Sequence, residues 1–228
     1  MREIVFDTET TGLDPRKGDR LVEIGCIEMI HRVATGRTFH GYFNPQRDMP
    51  AEAQAVHGLS ATFLADKPLF GTRAAELLEF LGDAPLVAHN ASFDFGFLNT
   101  ELAICGLAPV DRARMVDTVA IAKRKHPGAK LSLDALCSRY GIDRSHRVLH
   151  GALLDAELLA QLYVELTGGR QIGLELATGS TIEPTVTADA PLVIERRVRP
   201  PRTHSASPEE LALHTVFIAQ LNEAIWLN

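Results

Sequence analysis

Residues 5–15 read VFDTETTGLDP, in which apolar residues run straight into an acid, a spacer and a second acid. Side chains two apart on a strand project from the same face, so a strand here would carry Asp7 and Glu9 side by side. Paired carboxylates repel one another and are costly to desolvate unless a cation lies between them. An oxygen-only cluster of this kind suits Mg²⁺ or Mn²⁺. Two exposed acids at a strand end would look the same in isolation, so the reading turns on further acids in matching contexts.

Two such acids occur. Asp94 lies in HNASFDFGFLN, just inside the first turn of an expected helix, where an acid also suits the helix dipole. Asp155 lies in HGALLDAELL on the face adjoining Leu154 and Leu158, partway into a helix, where an unpaired acid gains little. His150 is a candidate general base, because an imidazole ordinarily titrates close to working pH, although a lone histidine is more often structural. On a straight helix, residues five apart point about 140° apart. His150 can therefore cooperate with Asp155 only from the loop before that helix, with Gly151 supplying the freedom.

The elements that must position these groups are legible as patterns. Residues 3–9, 21–31 and 37–43 read as a strand meander joined by short turns. AEAQAVHGLS and FGTRAAELLEFLG read as helices, the latter with Ala74, Leu77, Leu78 and Leu81 on one face. APLVAHN is a short apolar strand, and ASFDFGFLNTELAICG a helix with Phe93, Phe97 and Leu98 at core spacing. A strand near Met115 leads to a helix over 118–125, and LSLDALCSRYG is another, with Ser132 as N-cap and Gly141 as stop. HGALLDAELLAQLYVELTGG closes this part as a long helix. Strands followed by alternating helices and strands predict an α/β domain around a central mixed sheet.

Composition sets outer limits. A chain of 228 residues, 46% hydrophobic, can bury one core of ordinary size with room for an appendage. Cys26, Cys105 and Cys137 are isolated, which argues for reduced thiols in a cytosolic protein and against zinc. No run of 18 apolar residues and no basic leader followed by an apolar stretch occurs, so neither export nor membrane spanning is expected. The net charge of −6 argues against gripping nucleic acid by phosphate neutralisation alone.

DTETTG, HNASFDFGFLN and HGALLDAELLA together resemble, in order, the three motifs of the DEDDh branch of the DnaQ-like 3′-5′ exonucleases, over residues 1 to about 168. Within that family the chain is most similar to the epsilon proofreading subunits of bacterial DNA polymerase III, which are cytoplasmic. The resemblance implies a ribonuclease-H-like fold, with a five-stranded mixed sheet flanked by helices. It places Asp7, Glu9, Asp94 and Asp155 as the four acids and His150 as the histidine of the branch. It further implies two divalent cations, bridged chiefly by Asp7 and held by Glu9 and Asp155, with Asp94 orienting the site through water. Thr10, Leu13, His57, Asn90 and Phe97 match positions near which this family binds the terminal nucleotide. Core packing explains Phe97 equally well, and Asp117 and Asp134 read as cap or first-turn acids. The substrate implied is a DNA 3′ terminus.

Beyond Gly168 and Gly169 the character of the chain changes. An exonuclease domain is expected over 1–170, a flexible linker over 171–206 and a docking helix over 207–228. QIGLEL, residues 171–176, resembles the peptides that enter the groove of a sliding clamp, with Gln171, Leu174 and Leu176 as contacts. RRVRPPRTH is a short basic cluster within the linker. Ser207, Pro208 and Glu210 specify a helix start, and Leu211, Ile218, Leu221 and Ile225 form an apolar stripe. By the resemblance, this tail docks on the alpha (polymerase) subunit. A free-standing DNA or RNA trimming exonuclease, or a non-catalytic adaptor between polymerase and clamp, are the alternatives.

Overall fold

The apolar run at the N-terminus becomes the middle strand of a sheet, β1 (Arg2–Thr10). The structure, a computed structural model, describes residues 1–145, 147, 149–168 and 206–220. β1 pairs antiparallel with β2 (Leu21–Ile30), which pairs antiparallel with β3 (Val33–Tyr42). On its other side β1 pairs parallel with β4 (Leu86–Ala88), which pairs parallel with β5 (Met115–Asp117). The sheet order is β3-β2-β1-β4-β5, a mixed sheet of five strands, as expected from the sequence.

Alternation along β1 divides the core in two. Ile4 and Phe6 face one cluster with α3 (Phe70–Leu81) and α4 (Ala91–Ile104), where the Phe6 and Phe95 rings meet edge-on at 5.8 Å. Val5 faces the other, built from α5 (Thr118–Lys125), α6 (Leu133–Tyr140) and α7 (Ala152–Leu166). Burying apolar surface on both faces fixes the register, because a one-residue slip would invert every side chain of the strand. That register places Asp7 and Glu9 on the α7 side and Thr8 on the α4 side.

Several boundaries differ from the sequence reading for local reasons. β3 starts at Val33 rather than residue 37, because its first half lies exposed at the sheet edge and carries no alternation. The helix expected over AEAQAVHGLS stops at His57 as α1 (Ala51–His57), since Gly58 takes a left-handed φ of 77°. Ser60 then caps a separate short helix, α2 (Ala61–Leu64), accepting from the Phe63 amide at 3.1 Å. Ser132 and Gly141 cap α6 as expected.

The chain falls into two units, Met1–Leu176 and Ala177–Asn228. In the second, α8 (Pro208–Ile218) begins at the expected capping box of Ser207 and Glu210. Exposed Leu213 and Val216 widen its apolar surface beyond the expected stripe. Leu221 and Ile225, the linker with its basic cluster, and the candidate clamp contacts Gln171, Leu174 and Leu176 lie outside the described residues.

One close approach sets the position of α7. Gly25 lies opposite Asp7 in the β1–β2 ladder, and a Cβ there would sit 2.3 Å from the Leu153 backbone. The bare glycine lets the first turn of α7 rest on β2 beside the acids. Gly25→Ala should therefore destabilise the fold by about 2–3 kcal/mol, as overpacking against unyielding backbone does. Urea denaturation of the two proteins measures this, and an unchanged midpoint would show that α7 can retreat without cost.

Candidate active site

The acids gather where β1 ends. Asp7 and Glu9 project toward α7, whose first turn carries Asp155, while Asp94 comes from the first turn of α4 on the other face of the sheet. Asp94 and Asp155 are only 2% and 3% exposed. On the α4 side the Thr8 hydroxyl donates to Asp94 Oδ1 at 2.7 Å. Glu9 Oε, His150 N and Asp155 Oδ positions include a set of ligand atoms within 4.8 Å of one another. His150 precedes α7, on an extended segment whose amide donates to the Val56 carbonyl at 3.2 Å. This is the placement that cooperation with Asp155 requires, and His150 Nδ1 lies 3.2 Å from Asp155 Oδ2.

Electrostatics mark the cluster as short of positive charge, with Arg147 on Asp155 its one nearby cation among the described residues. Burial pushes Glu9 up to about 8, aided by Asp155 and Glu23 and opposed by Arg147. Burial raises Asp94 to about 7, against the Thr8 hydrogen bond that lowers it. Asp7 is raised well above the ordinary carboxylate range, first by desolvation and then by Asp94, Glu9, Asp155 and Glu23. An oxygen-rich donor set with raised acids fits divalent cations, whose binding would offset the repulsion. Asp7, Glu9 and Asp155 would hold them.

The residues expected around a nucleotide occupy varied settings. Leu13 is 85% exposed beside the acids' strand end, just past Thr10, whose hydroxyl donates to the Gly12 carbonyl at 2.6 Å. His57 is 5% exposed, accepts from the Leu59 amide at Nδ1, and has an Nε2 with no partner among the described residues. Burial lowers its pKa below the ordinary imidazole value. Asn90 sits exposed at the start of α4 with a φ of 63°, its amide donating to Asp117 Oδ1 at 3.1 Å. Phe97 packs in the core, its ring 4.9 Å from that of Phe93, and both rings line a groove with Leu13, Pro15 and Arg112.

Two nearby groups were not anticipated. Glu23 stands opposite Glu9 across the β1–β2 ladder and accepts from His40 Nε2 at 2.7 Å when that nitrogen is protonated. Its signal was an acid inside the otherwise apolar LVEIGCI. Arg147 pairs with Asp155, and Asp134, read as a first-turn acid, pairs with Arg147 as well. Arg147 stands three residues before His150, which was its only signal.

The raised acids give a pH dependence whose sign is fixed. A carboxyl with a folded pKa above its unfolded value is better tolerated in the folded chain while protonated, so stability declines as pH rises between the two values. For Glu9 that window runs from 4.5 to about 8, and for Asp94 from 3.8 to about 7. In EDTA, the unfolding midpoint should fall by several degrees between pH 5.5 and 8.5, and Mn²⁺ should stabilise most at the alkaline end. Glu9→Gln should flatten the decline, and thermal unfolding of both proteins with equal slopes would contradict the assignment.

Comparison with known proteins agrees with this geometry. Residues 4–163 match the Exonuclease family (RNase T). The DNA polymerase III subunit epsilon of Rickettsia felis is 54% identical over 183 residues, spanning 79% of this chain and 80% of that one. The subunit epsilon of Salmonella typhimurium is 43% identical over 223 residues, spanning 93% and 90%. Among solved structures, exonuclease X bound to 5′ overhanging duplex DNA aligns with a TM-score of 0.57 at 27% identity, covering 72% of this chain and 90% of that one. Exonuclease I shares the fold, with a TM-score of 0.62 at 17% identity over 73% of this chain and 40% of that one. The fold, the clustered acids and the extent of these matches lead to one assignment: the chain belongs to the exonuclease family, among the epsilon subunits of DNA polymerase III.

Proposed function

We infer that the protein is the proofreading 3′-5′ exonuclease of a bacterial replicative polymerase, removing mispaired 3′-terminal nucleotides by metal-dependent hydrolysis. The observation that carries this is the meeting of Glu9, His150 and Asp155 beside Asp7, in a chain similar to an epsilon subunit across 93% of its length. Asp7, Glu9 and Asp155 hold two cations, Mg²⁺ or Mn²⁺. When bound, these supply a nucleophilic water near neutral pH and relieve charge on the leaving oxygen.

The chain's own groups do the rest. His150 takes the proton from the attacking water, which it can reach from its half-exposed segment. Water adds at phosphorus, the bond to the 3′ oxygen breaks, and a 5′-mononucleotide leaves. Asp94, fixed by Thr8, orients the cluster from the α4 side. His57, whose buried Nε2 has no partner among the described residues, binds the terminal nucleotide together with Thr10 and Asn90. Leu13 presents an exposed apolar side chain against an unpaired base, with the Phe97 edge behind it.

The tail supplies partners. Residues 207–228 dock on the alpha subunit, an assignment supported by the exposed Leu211, Leu213, Val216 and Phe217 of α8 and by the reach of the Salmonella typhimurium match. Residues 171–176 engage the sliding clamp through Gln171, Leu174 and Leu176. No helix of the described residues is long and apolar enough to cross a membrane, and the reading places the protein in the bacterial cytoplasm.

On a primer with a mispaired, labelled 3′ end, the full chain should release mononucleotides in Mg²⁺ or Mn²⁺. Asp7→Ala should reduce release to background while alpha binding persists, and His150→Ala should cost about 10²- to 10⁴-fold. A truncation ending at Gly169 should still hydrolyse but lose alpha. If neither form binds alpha, the protein is a stand-alone trimming exonuclease, and if Asp7→Ala leaves cleavage intact, the adaptor alternative returns.

A further inference from the structure

The mechanism above leaves one buried cation without a task. The Arg147 side chain is 8% exposed. Its Nε and Nη2 donate to the two oxygens of Asp155 at 2.5 and 2.6 Å, and its Nη1 donates to Asp134 Oδ1 at 2.5 Å. A forked guanidinium on a forked carboxylate is a strong and geometrically demanding pair. Asp155, which the proposed mechanism needs as a cation ligand, is therefore already occupied on both oxygens.

The same guanidinium reaches the proposed base. Arg147 Nη2 lies 2.7 Å from His150 Nδ1. Arginine has donors and no acceptor, so Nδ1 can only accept, and the neutral ring then carries its hydrogen on Nε2. In that state neither nitrogen offers a free lone pair to water. Asp155 Oδ2, 3.2 Å from Nδ1, is an acceptor that could hold the opposite tautomer, with hydrogen on Nδ1 and a lone pair on Nε2. It can do so only once the arginine has withdrawn.

Asp134 makes withdrawal feasible without losing the arginine. It lies in the first turn of α6, also pairs with Arg144 at 2.8 Å, and holds the Nη1 edge that does not touch the site. If two divalent cations balance Asp7, Glu9, Asp94 and Asp155, Arg147 is left with Asp134 as its partner.

We propose that Arg147 is a positioning residue that stands in for a cation at Asp155 and holds His150 in the wrong tautomer for a base until a divalent cation displaces it. Cation binding and the readiness of His150 thereby become one event. The proposal rests on the metal-dependent reading above.

Calorimetric titration of the full chain with Mn²⁺, without DNA, tests it. Arg147→Gln should bind Mn²⁺ about tenfold more tightly than the wild type, a difference of about 1.4 kcal/mol. Arg147→Lys, a point charge that cannot span both oxygens, should fall between them. If the glutamine variant does not fold, the lysine variant decides, with tighter binding supporting the proposal and equal or weaker binding overturning it. A wild type that takes up no Mn²⁺ would remove the metal-dependent reading itself, whereas a wild type that binds and an Arg147→Gln that binds no tighter would overturn the role of Arg147 alone. Nitrogen NMR of His150, assigned with His150→Gln, should show hydrogen on Nε2 in EDTA and on Nδ1 in Mg²⁺. An unchanged tautomer would overturn the coupling.

Discussion

Repulsion among carboxylates at the carboxyl end of β1 is the constraint around which the fold is arranged. Asp7 is raised by four other acids as well as by burial, and those acids arrive from β1, β2, α4 and α7. Unit charges a few Å apart in a poorly solvated site repel by several kcal/mol even at a generous effective dielectric. No local sequence preference would assemble such a group. The apolar clusters on both faces of the sheet hold it together, with Phe6 and Phe95 locking α4 to β1 and the bare Gly25 admitting α7 against β2. Rigid packing is what allows the site to be unfavourable on its own and complementary to cations.

What the sequence revealed follows from what each signal depends on. Caps are local, so Ser132, Gly141 and the Ser207–Glu210 box were legible and hold in the structure. Apolar runs gave β1, β2, β4 and the long helices, whereas the exposed first half of β3 had no pattern to read. Asp7 and Glu9 could be paired by strand periodicity, Asp155 joined them through the motif resemblance, and the requirement that His150 precede α7 was a matter of helical geometry. Glu23 and Arg147 escaped because their importance is a matter of register and of an irregular segment. Glu23 matters only because the β1–β2 hairpin sets it opposite Glu9. Arg147 matters only because the chain between α6 and α7 brings it onto Asp155, and nothing periodic in RVLHG announces that.

The placement of acids on opposite faces of one sheet also shapes how the site can respond to cations. Asp7, Glu9 and Asp155 share the α7 side, while Asp94 is held by the Thr8 hydroxyl and acts on Asp7 through its field. A change at Asp155 is thus felt at His150 and Arg147 directly, and at Asp94 only across the strand. That asymmetry favours a division of labour in which the α7 side exchanges partners and the α4 side stays fixed. The Thr8 hydrogen bond, buried at 2.7 Å, is of the kind that resists rearrangement.

An acidic nuclease poses a further physical problem, since DNA must approach a protein of net charge −6 at a site lined by carboxyl groups. Long-range attraction would be weak or unfavourable, which argues against phosphate neutralisation alone supplying the affinity. For a proofreading enzyme this is an advantage. Strong intrinsic affinity for 3′ ends would degrade correctly paired primers whenever the enzyme met them. The proposed tether to the polymerase would replace affinity with effective concentration, which acts only at the primer being copied. Under that arrangement selectivity rests on how often the terminal base pair opens. On the proposed reading the low basic content and the C-terminal segment belong together, the tail supplying the local concentration at the primer that surface charge does not.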